Sequence, residues 1–288
     1  MVLPQSTSPL TPPPKDPLTL LGVDFSSAPT RRKPITVAQG RLHGHVLRLE
    51  ATEALPDLAA FEALLQRPGP WLGAFDFPFG LPRDFVQSLQ LGDNAAAVIT
   101  ELHRRCPARL DFRALVDAWG NARPAGRRLL HRATDGVMAG ISSTSPLQTR
   151  YVPVGFMYYE GLSRLVRAGV SLPGLHAGDP DRIALEGYPG FLAHELAPGR
   201  SYKNKDDSDR LITRKDIVDR LEQGRTRLGL RLKLGHAQRE ALVDDPGGDR
   251  LDAALCLMQA AWASMQPGHG LPAEVDPVEG WIVTAGAG

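Results

Sequence analysis

LTLLGVDFSSAP, residues Leu18 to Pro29, has the pattern of a buried β-strand that ends in an aspartate and continues into a loop. The run of Leu and Val predicts a strand from Thr19 to Ser26. A carboxylate at the end of a core strand is costly to desolvate unless something binds it. Asp24 is therefore either a ligand for a positively charged partner or a turn residue that hydrogen-bonds its own loop.

The segments around this strand predict a sheet covered by helices. PITVAQGRL and GHVLRLEA follow it and predict an antiparallel three-strand meander. Further apolar strands end at Asp76, in PWLGAFDFPFGLP, and at Glu186, in DRIALEGYPGF, and EGWIVTA predicts a closing strand. Amphipathic helices alternate with them. We expect an α/β fold whose mixed sheet combines the meander with parallel strands.

Composition predicts one folded domain behind a tail. The chain has 288 residues, of which 42% are hydrophobic and 23% charged, as in ordinary globular proteins. Residues 1–17 are rich in proline and predict a disordered tail. Residues 18–288 fit a single domain with a helical, Arg-rich insertion around residues 82–150.

The same composition limits the class of partner and the compartment. A net charge of +1 gives no global attraction to nucleic acids or membranes, so a polyanion would need a local basic patch. No apolar run approaches the roughly 18 residues of a membrane span. Cys106 and Cys256 form neither a disulfide framework nor a zinc motif, which favours the reducing cytoplasm. The sequence carries no signal for an oligomeric state.

Acidic residues mark the predicted ends of several elements. Asp24, Asp76 and Glu186 each end a strand, and ligands of open α/β sheets bind at the carboxyl ends of strands. Asp249 and Asp252 lie three residues apart at the start of an apolar helix, hence on one face. Carboxylates that converge repel one another, and divalent cations relieve that repulsion. Ligands that offer oxygen alone suit Mg²⁺ or Mn²⁺.

A basic segment is the candidate nucleic-acid contact. The window from Arg104 to Arg132 holds eight arginines against only Asp111 and Asp117. We expect this window to form a phosphate-binding rim over the acidic residues, although a structural helix with solvated arginines fits the same pattern. The candidate substrate contacts are Arg127, Arg128, Arg132, Lys203 and Lys205.

Several motifs together resemble a known family. GVDFSSAP, AFDFPFGLP, LEGYPGFLAHEL followed by YKNKDDSDR, DRLDAALCLMQAAWA and VEGWIV are similar to the predicted RNase H-like nucleases catalogued as domain of unknown function 429. The resemblance covers roughly residues 18–284. It implies an RNase H-like fold and phosphodiester hydrolysis at an acidic two-metal site. By this resemblance Asp24 is the central metal ligand, Asp76 and Asp252 are further ligands, Asp249 completes the cluster, and Glu186 is a ligand or a substrate contact.

Two other classes of function remain open. A catalytically silent RNase H-like module would bind nucleic acid, a nucleotide or a protein through the Arg-rich segment. An actin-like or sugar-kinase-type phosphotransferase would use a related fold, but the sequence lacks its glycine-rich phosphate loops. The full set of carboxylates favours the nuclease over the silent module.

Overall fold

A computed structural model describes residues 17–138 and 140–286. The predicted tail, up to residue 16, lies outside the described residues. Within the described part of the chain, seven strands form one sheet. The strands are β1 (Thr19–Asp24), β2 (Ile35–His43), β3 (Val46–Leu55), β4 (Trp71–Phe75), β5 (Val170–Ser171), β6 (Asp179–Glu186) and β7 (Arg231–Lys233).

The sheet has the order β5-β6-β4-β1-β2-β3-β7. The first three strands pair antiparallel, and the remaining pairs are parallel. The predicted α/β class, with a mixed sheet built from a meander and parallel strands, is therefore confirmed. The prediction that EGWIVTA forms a closing strand is wrong. Ile282 makes a single parallel bridge to Glu186, and the chain then turns at Thr284, where φ is +71°.

Helices cover both faces of the sheet. Their bounds are α1 (Leu58–Leu65), α2 (Arg83–Ser88), α3 (Ala95–Arg105), α4 (Arg109–Asn121), α5 (Val154–Arg167), α6 (Pro189–Leu196), α7 (Ser208–Glu222), α8 (His236–Val243) and α9 (Asp249–Ser264), with short 3-10 helices at Ala133–Gly136 and Pro267–Gly270. The predicted helical insertion thus contains α2, α3 and α4, whereas residues 122–138 and 140–150 are mainly irregular. None of the helices in the described ranges is both long and apolar enough to cross a bilayer.

Side chains alternate between two apolar layers. Leu21 and Val23 of β1 belong to the layer that packs against α1 and α5, and Leu20 belongs to the layer formed with α9. This alternation is the period of two expected of a strand with both faces buried.

Helix α9 packs directly on the central strand because Gly22 has no side chain. A Cβ atom at Gly22 would lie 2.1 Å from the carbonyl oxygen of Ala253 and from the amide nitrogen of Leu257. Only glycine permits so close an approach of helix and strand backbones. As a result, the first turn of α9 lies beside the carboxyl end of β1.

Candidate metal centre

Three of the five predicted acidic residues converge in the structure. Asp24 ends β1, Asp76 directly follows β4, and Asp252 lies in the first turn of α9. Each offers one carboxylate oxygen, and these three oxygens all lie within 4.8 Å of one another. We call these residues the aspartate triad.

The period of the strands explains why the triad forms. Residues two apart in a strand face the same way. Asp24 therefore lies on the same face of the sheet as Gly22, and Asp76 lies on the same face as Ala74. Gly22 contacts α9 directly, and Ala74 belongs to the apolar layer that α9 shares. Asp252 precedes Ala253, the residue that touches Gly22, so α9 brings it to the same place.

Glu186 ends the neighbouring strand but faces the opposite layer. It pairs in register with Phe75, whose ring belongs to the layer away from α9, whereas Asp76 is one residue further on. Its two carboxylate oxygens accept hydrogen bonds from Arg132, at 2.6 and 2.8 Å, and one of them also accepts from the amide of Phe79 at 2.8 Å. The structure therefore places Glu186 outside the triad.

Arg132, predicted to contact substrate, is 3% exposed. Its guanidinium donates to Asp135 at 2.8 Å as well as to Glu186, and the Ser143 hydroxyl donates to Asp135 at 2.6 Å. We call Arg132, Glu186 and Asp135 the Arg132 cluster. Because its donors are engaged inside the protein, Arg132 joins the irregular segment to the carboxyl end of β6.

Asp249 lies near the triad without joining it. It is half-buried and lines the same cavity as Asp24, but it is not one of the three residues whose oxygens converge. Burial raises its pKa, Asp245 raises it further, and Lys33 opposes the rise. Sequence analysis did not single out Lys33, although the basic run after the first strand was a signal for it.

Lys203 offsets the negative charge of the triad only in part. Burial raises the pKa of Asp24 well above its ordinary value, and the carboxylates of Asp252 and Asp76 raise it further. Burial and then Asp252 raise the pKa of Asp76 to about 7, against an opposing effect of Lys203. Adjacent carboxylates disfavour one another's charged forms, and a bound cation removes that penalty.

Tyr202 and Lys203 hold the third member of the triad. The Lys203 ammonium donates to Oδ2 of Asp252 at 2.5 Å, and the Tyr202 hydroxyl donates to Oδ1. Although burial lowers the pKa of Lys203, Asp252 and Asp76 raise it above its ordinary value overall. Tyr202 was missed by sequence analysis, and its only signal was its position next to Lys203.

Loop geometry brings this pair to α9. Gly248 precedes the helix with φ of +79°, and a Cβ there would lie 2.7 Å from Cβ of Lys203. The Asn204 amide donates to the carbonyl of Pro246 at 3.1 Å, and the buried Arg214 guanidinium donates to the carbonyl of Tyr202 at 2.9 Å. The segment that carries Lys203 is therefore fixed against the start of α9.

A cavity of about 570 Å³ opens over the triad. Lys33 and Lys203 line it together with Ser26, Ser27 and Tyr188. The other predicted substrate contacts lie elsewhere: Lys205, Arg127 and Arg128 are exposed and do not line this cavity. Arg128 lines a second cavity of about 330 Å³.

The expected rim of arginines does not form, because helix packing uses several of them. Arg104 and Arg105 pair with Glu101 at 2.7 and 2.6 Å. The guanidinium of Arg123 lies 3.7 Å from the ring centre of Trp119, and that of Arg113 lies 4.8 Å from the ring centre of Phe156. Of the eight arginines of the window, only Arg132 lines the cavity over the triad.

Comparison of the chain with protein-family models, with curated proteins and with solved structures finds no match. The resemblance to the RNase H-like family therefore rests on the motifs, and the function must be argued from the site.

Proposed function

We propose that this protein is an RNase H-like nuclease that hydrolyses phosphodiester bonds with the help of Mg²⁺ or Mn²⁺. The observation that carries the proposal is the convergence of three carboxylate oxygens within 4.8 Å, from two strand ends and one helix. The motif resemblance and the mixed sheet with its antiparallel meander support the RNase H-like part. The free, buried Cys106 and Cys256 fit a reducing cytoplasmic setting.

The residues of the triad fit a hard divalent cation. Asp24, Asp76 and Asp252 offer only oxygen, which Mg²⁺ and Mn²⁺ prefer. The raised pKa values of Asp24 and Asp76 reflect burial and mutual repulsion that a cation would relieve. The chemistry that a bound cation supplies is activation of water and stabilisation of charge on phosphate oxygens.

The chain's own residues orient the triad and attract phosphate. Tyr202 and Lys203 fix both oxygens of Asp252, so the carboxylate does not have to reorganise when it binds. Lys33 and Lys203 place two ammonium groups on the cavity wall, where they neutralise a phosphate backbone. Asp249 adds an acceptor on the same wall.

The test combines cation binding with hydrolysis. Calorimetric titration with Mn²⁺ and cleavage of single-stranded and duplex oligonucleotides are measured for the wild type and for Asp24→Asn, Asp76→Asn and Asp252→Asn. Each variant should lose most of the Mn²⁺ binding and at least about a hundredfold in rate. Asp57→Asn is the matched control, because the exposed Asp57 caps α1 and Asn caps equally well.

The proposal fails if the folded wild type neither binds Mn²⁺ nor cleaves any oligonucleotide. One observation would then favour the silent binding module. Lys203 already gives Asp252 a counter-ion at 2.5 Å, so the cavity is partly neutralised from within. Such a module would bind oligonucleotides equally well in chelator and in Mn²⁺.

A further inference from the structure

Tyr151 forms a ridge between the cavity over the triad and the second cavity. Its side chain lines both cavities and is 92% exposed, and the adjacent Val152 is 55% exposed. Leu129, on the wall of the second cavity, is 38% exposed. Large apolar groups that cluster at the surface beside a cavity mark a binding surface.

The backbone on both sides of this ridge is fixed. Thr149 is buried, and its carbonyl accepts a hydrogen bond from Arg113 at 2.6 Å. The carbonyl of Gln148 accepts from the amide of Gly155, at the start of α5, at 2.7 Å. Tyr151 is thus presented by a loop held at each end, which lowers the entropy lost when a ligand stacks on its ring.

The second cavity has the chemistry of a nucleotide site. Arg128 and Arg150 supply positive charge, and the amides of Asn121 and Gln148 supply donors and acceptors. Asp117 also lines this cavity and pairs with Arg150 at 2.6 Å, and both Arg128 and Arg150 are exposed. Its volume of about 330 Å³ lies within the range of small-ligand pockets, about 300–1,000 Å³.

We propose that Tyr151 and the second cavity form a subsite for the nucleotide next to the phosphate at the triad, with its base stacked on the Tyr151 ring. This inference rests on the proposed function and narrows its substrate to an unpaired strand. A base within a duplex is stacked on its neighbours and has no free face for an aromatic side chain. Arg128 contacts the backbone of the same strand, so one exposed member of the Arg-rich segment binds substrate beside the triad.

The experiment separates stacking from cation chemistry by working in chelator. Binding of a fluorescein-labelled oligothymidylate and of a labelled duplex hairpin is measured by anisotropy. Tyr151→Ala should weaken binding of the single strand at least about fivefold, the lower limit for loss of one base–aromatic stack. Tyr151→Phe should bind as the wild type does, and the duplex should respond to neither change. Leu18→Ala, an exposed apolar residue at the opposite end of β1, is the control.

A second variant tests the charge of the subsite. Arg128→Gln should weaken binding of the single strand and reduce its dependence on salt by about one phosphate contact. Arg104→Gln is the matched control, because Arg104 is exposed on α3 and lines neither cavity. Melting curves establish that each variant is folded.

Equal single-strand affinity of Tyr151→Ala and the wild type, or an equal loss for strand and hairpin, would overturn the subsite. Failure of the subsite proposal is distinguishable from failure of the nuclease proposal. Mn²⁺ titration and strand cleavage by the wild type test the triad, whereas binding in chelator tests Tyr151. Weaker single-strand binding by Tyr151→Ala with no cleavage by the wild type would retain the subsite and reject the nuclease.

Discussion

Asp76 and Glu186 stand at the ends of the neighbouring parallel strands β4 and β6, yet they belong to different kinds of site. Glu186 faces the layer of Phe75 and receives three hydrogen bonds, two of them from Arg132. Asp76 faces α9 and meets two further carboxylates. A carboxylate at a strand end thus becomes a candidate ligand when it lacks an internal cation of its own.

Electrostatics separates the two sites further. Burial raises the pKa of Glu186, but Arg132 opposes that rise through its charge and its hydrogen bonds. At Asp76, Asp252 adds to the effect of burial and Lys203 opposes it only in part, which leaves the pKa at about 7. Arg132 neutralises the carboxylates of its cluster, whereas Lys203 offsets the charge of the triad only in part.

The largest expected effect on the unfolding free energy comes from removing Arg132, the cation that neutralises Glu186. Arg132→Met leaves Glu186 and Asp135 buried without their cation, and breaking a buried pair in this way costs about 3–5 kcal/mol of unfolding free energy. Urea denaturation measures the loss. Arg104→Met, which removes an exposed arginine, should unfold at nearly the wild-type midpoint. Equal midpoints for the two variants would contradict the structural role of the cluster.

The second expected effect is on how the stability of the metal-free protein depends on pH. Because the pKa of Asp76 is about 7 when folded, against an ordinary value of 3.8, the folded state retains a proton that the unfolded state has lost between those values. The unfolding free energy therefore falls as pH rises from about 4 to 7, by at most about 1.4 kcal/mol per pH unit for this group.

Urea titrations in chelator across that pH range measure the effect, and Asp76→Asn should flatten the slope. An unchanged slope in the variant would show that Asp76 titrates as an ordinary aspartate.

A smaller effect is expected at Asp24. Asp24→Asn keeps the shape of the side chain but cannot ionise beside Asp252 and Asp76, so the metal-free protein should be more stable than the wild type at neutral pH. The same change should reduce the stabilisation that added Mn²⁺ gives, because a ligand stabilises the native state only by binding it. Melting curves with and without Mn²⁺ test both statements. A less stable variant with a full response to Mn²⁺ would make Asp24 a structural turn residue.

The smallest effect concerns the partial counter-ion Lys203. Lys203→Met should lower the unfolding free energy in chelator by about 1 kcal/mol, because Asp252 loses one donor and keeps Tyr202. It should also strengthen Mn²⁺ binding, since a competing positive charge is gone. Calorimetric titration checks the second statement, and weaker Mn²⁺ binding would mean that the orientation Lys203 gives to Asp252 outweighs its competing charge.

Sequence patterns were sufficient to predict the elements that carry the triad. The apolar runs before Asp24 and Asp76 identified two strand ends, and the apolar helix after Asp249 identified α9. The same patterns treated Glu186 as equivalent to Asp76. They could not separate the two because the face of a strand-end residue depends on its register with the neighbouring strand, and a shift of one residue reverses the face.

By itself, the sequence determined which residues alternate along each strand and which acids lie at strand ends, because these follow from local periods of two and 3.6 residues. Only the tertiary structure decided that Arg132, 54 residues before Glu186, neutralises it, and that Tyr202 and Lys203 reach Asp252 some 50 residues later. Contacts over such separations depend on the packing of whole elements, here on the direct contact of α9 with Gly22, and no local pattern encodes them.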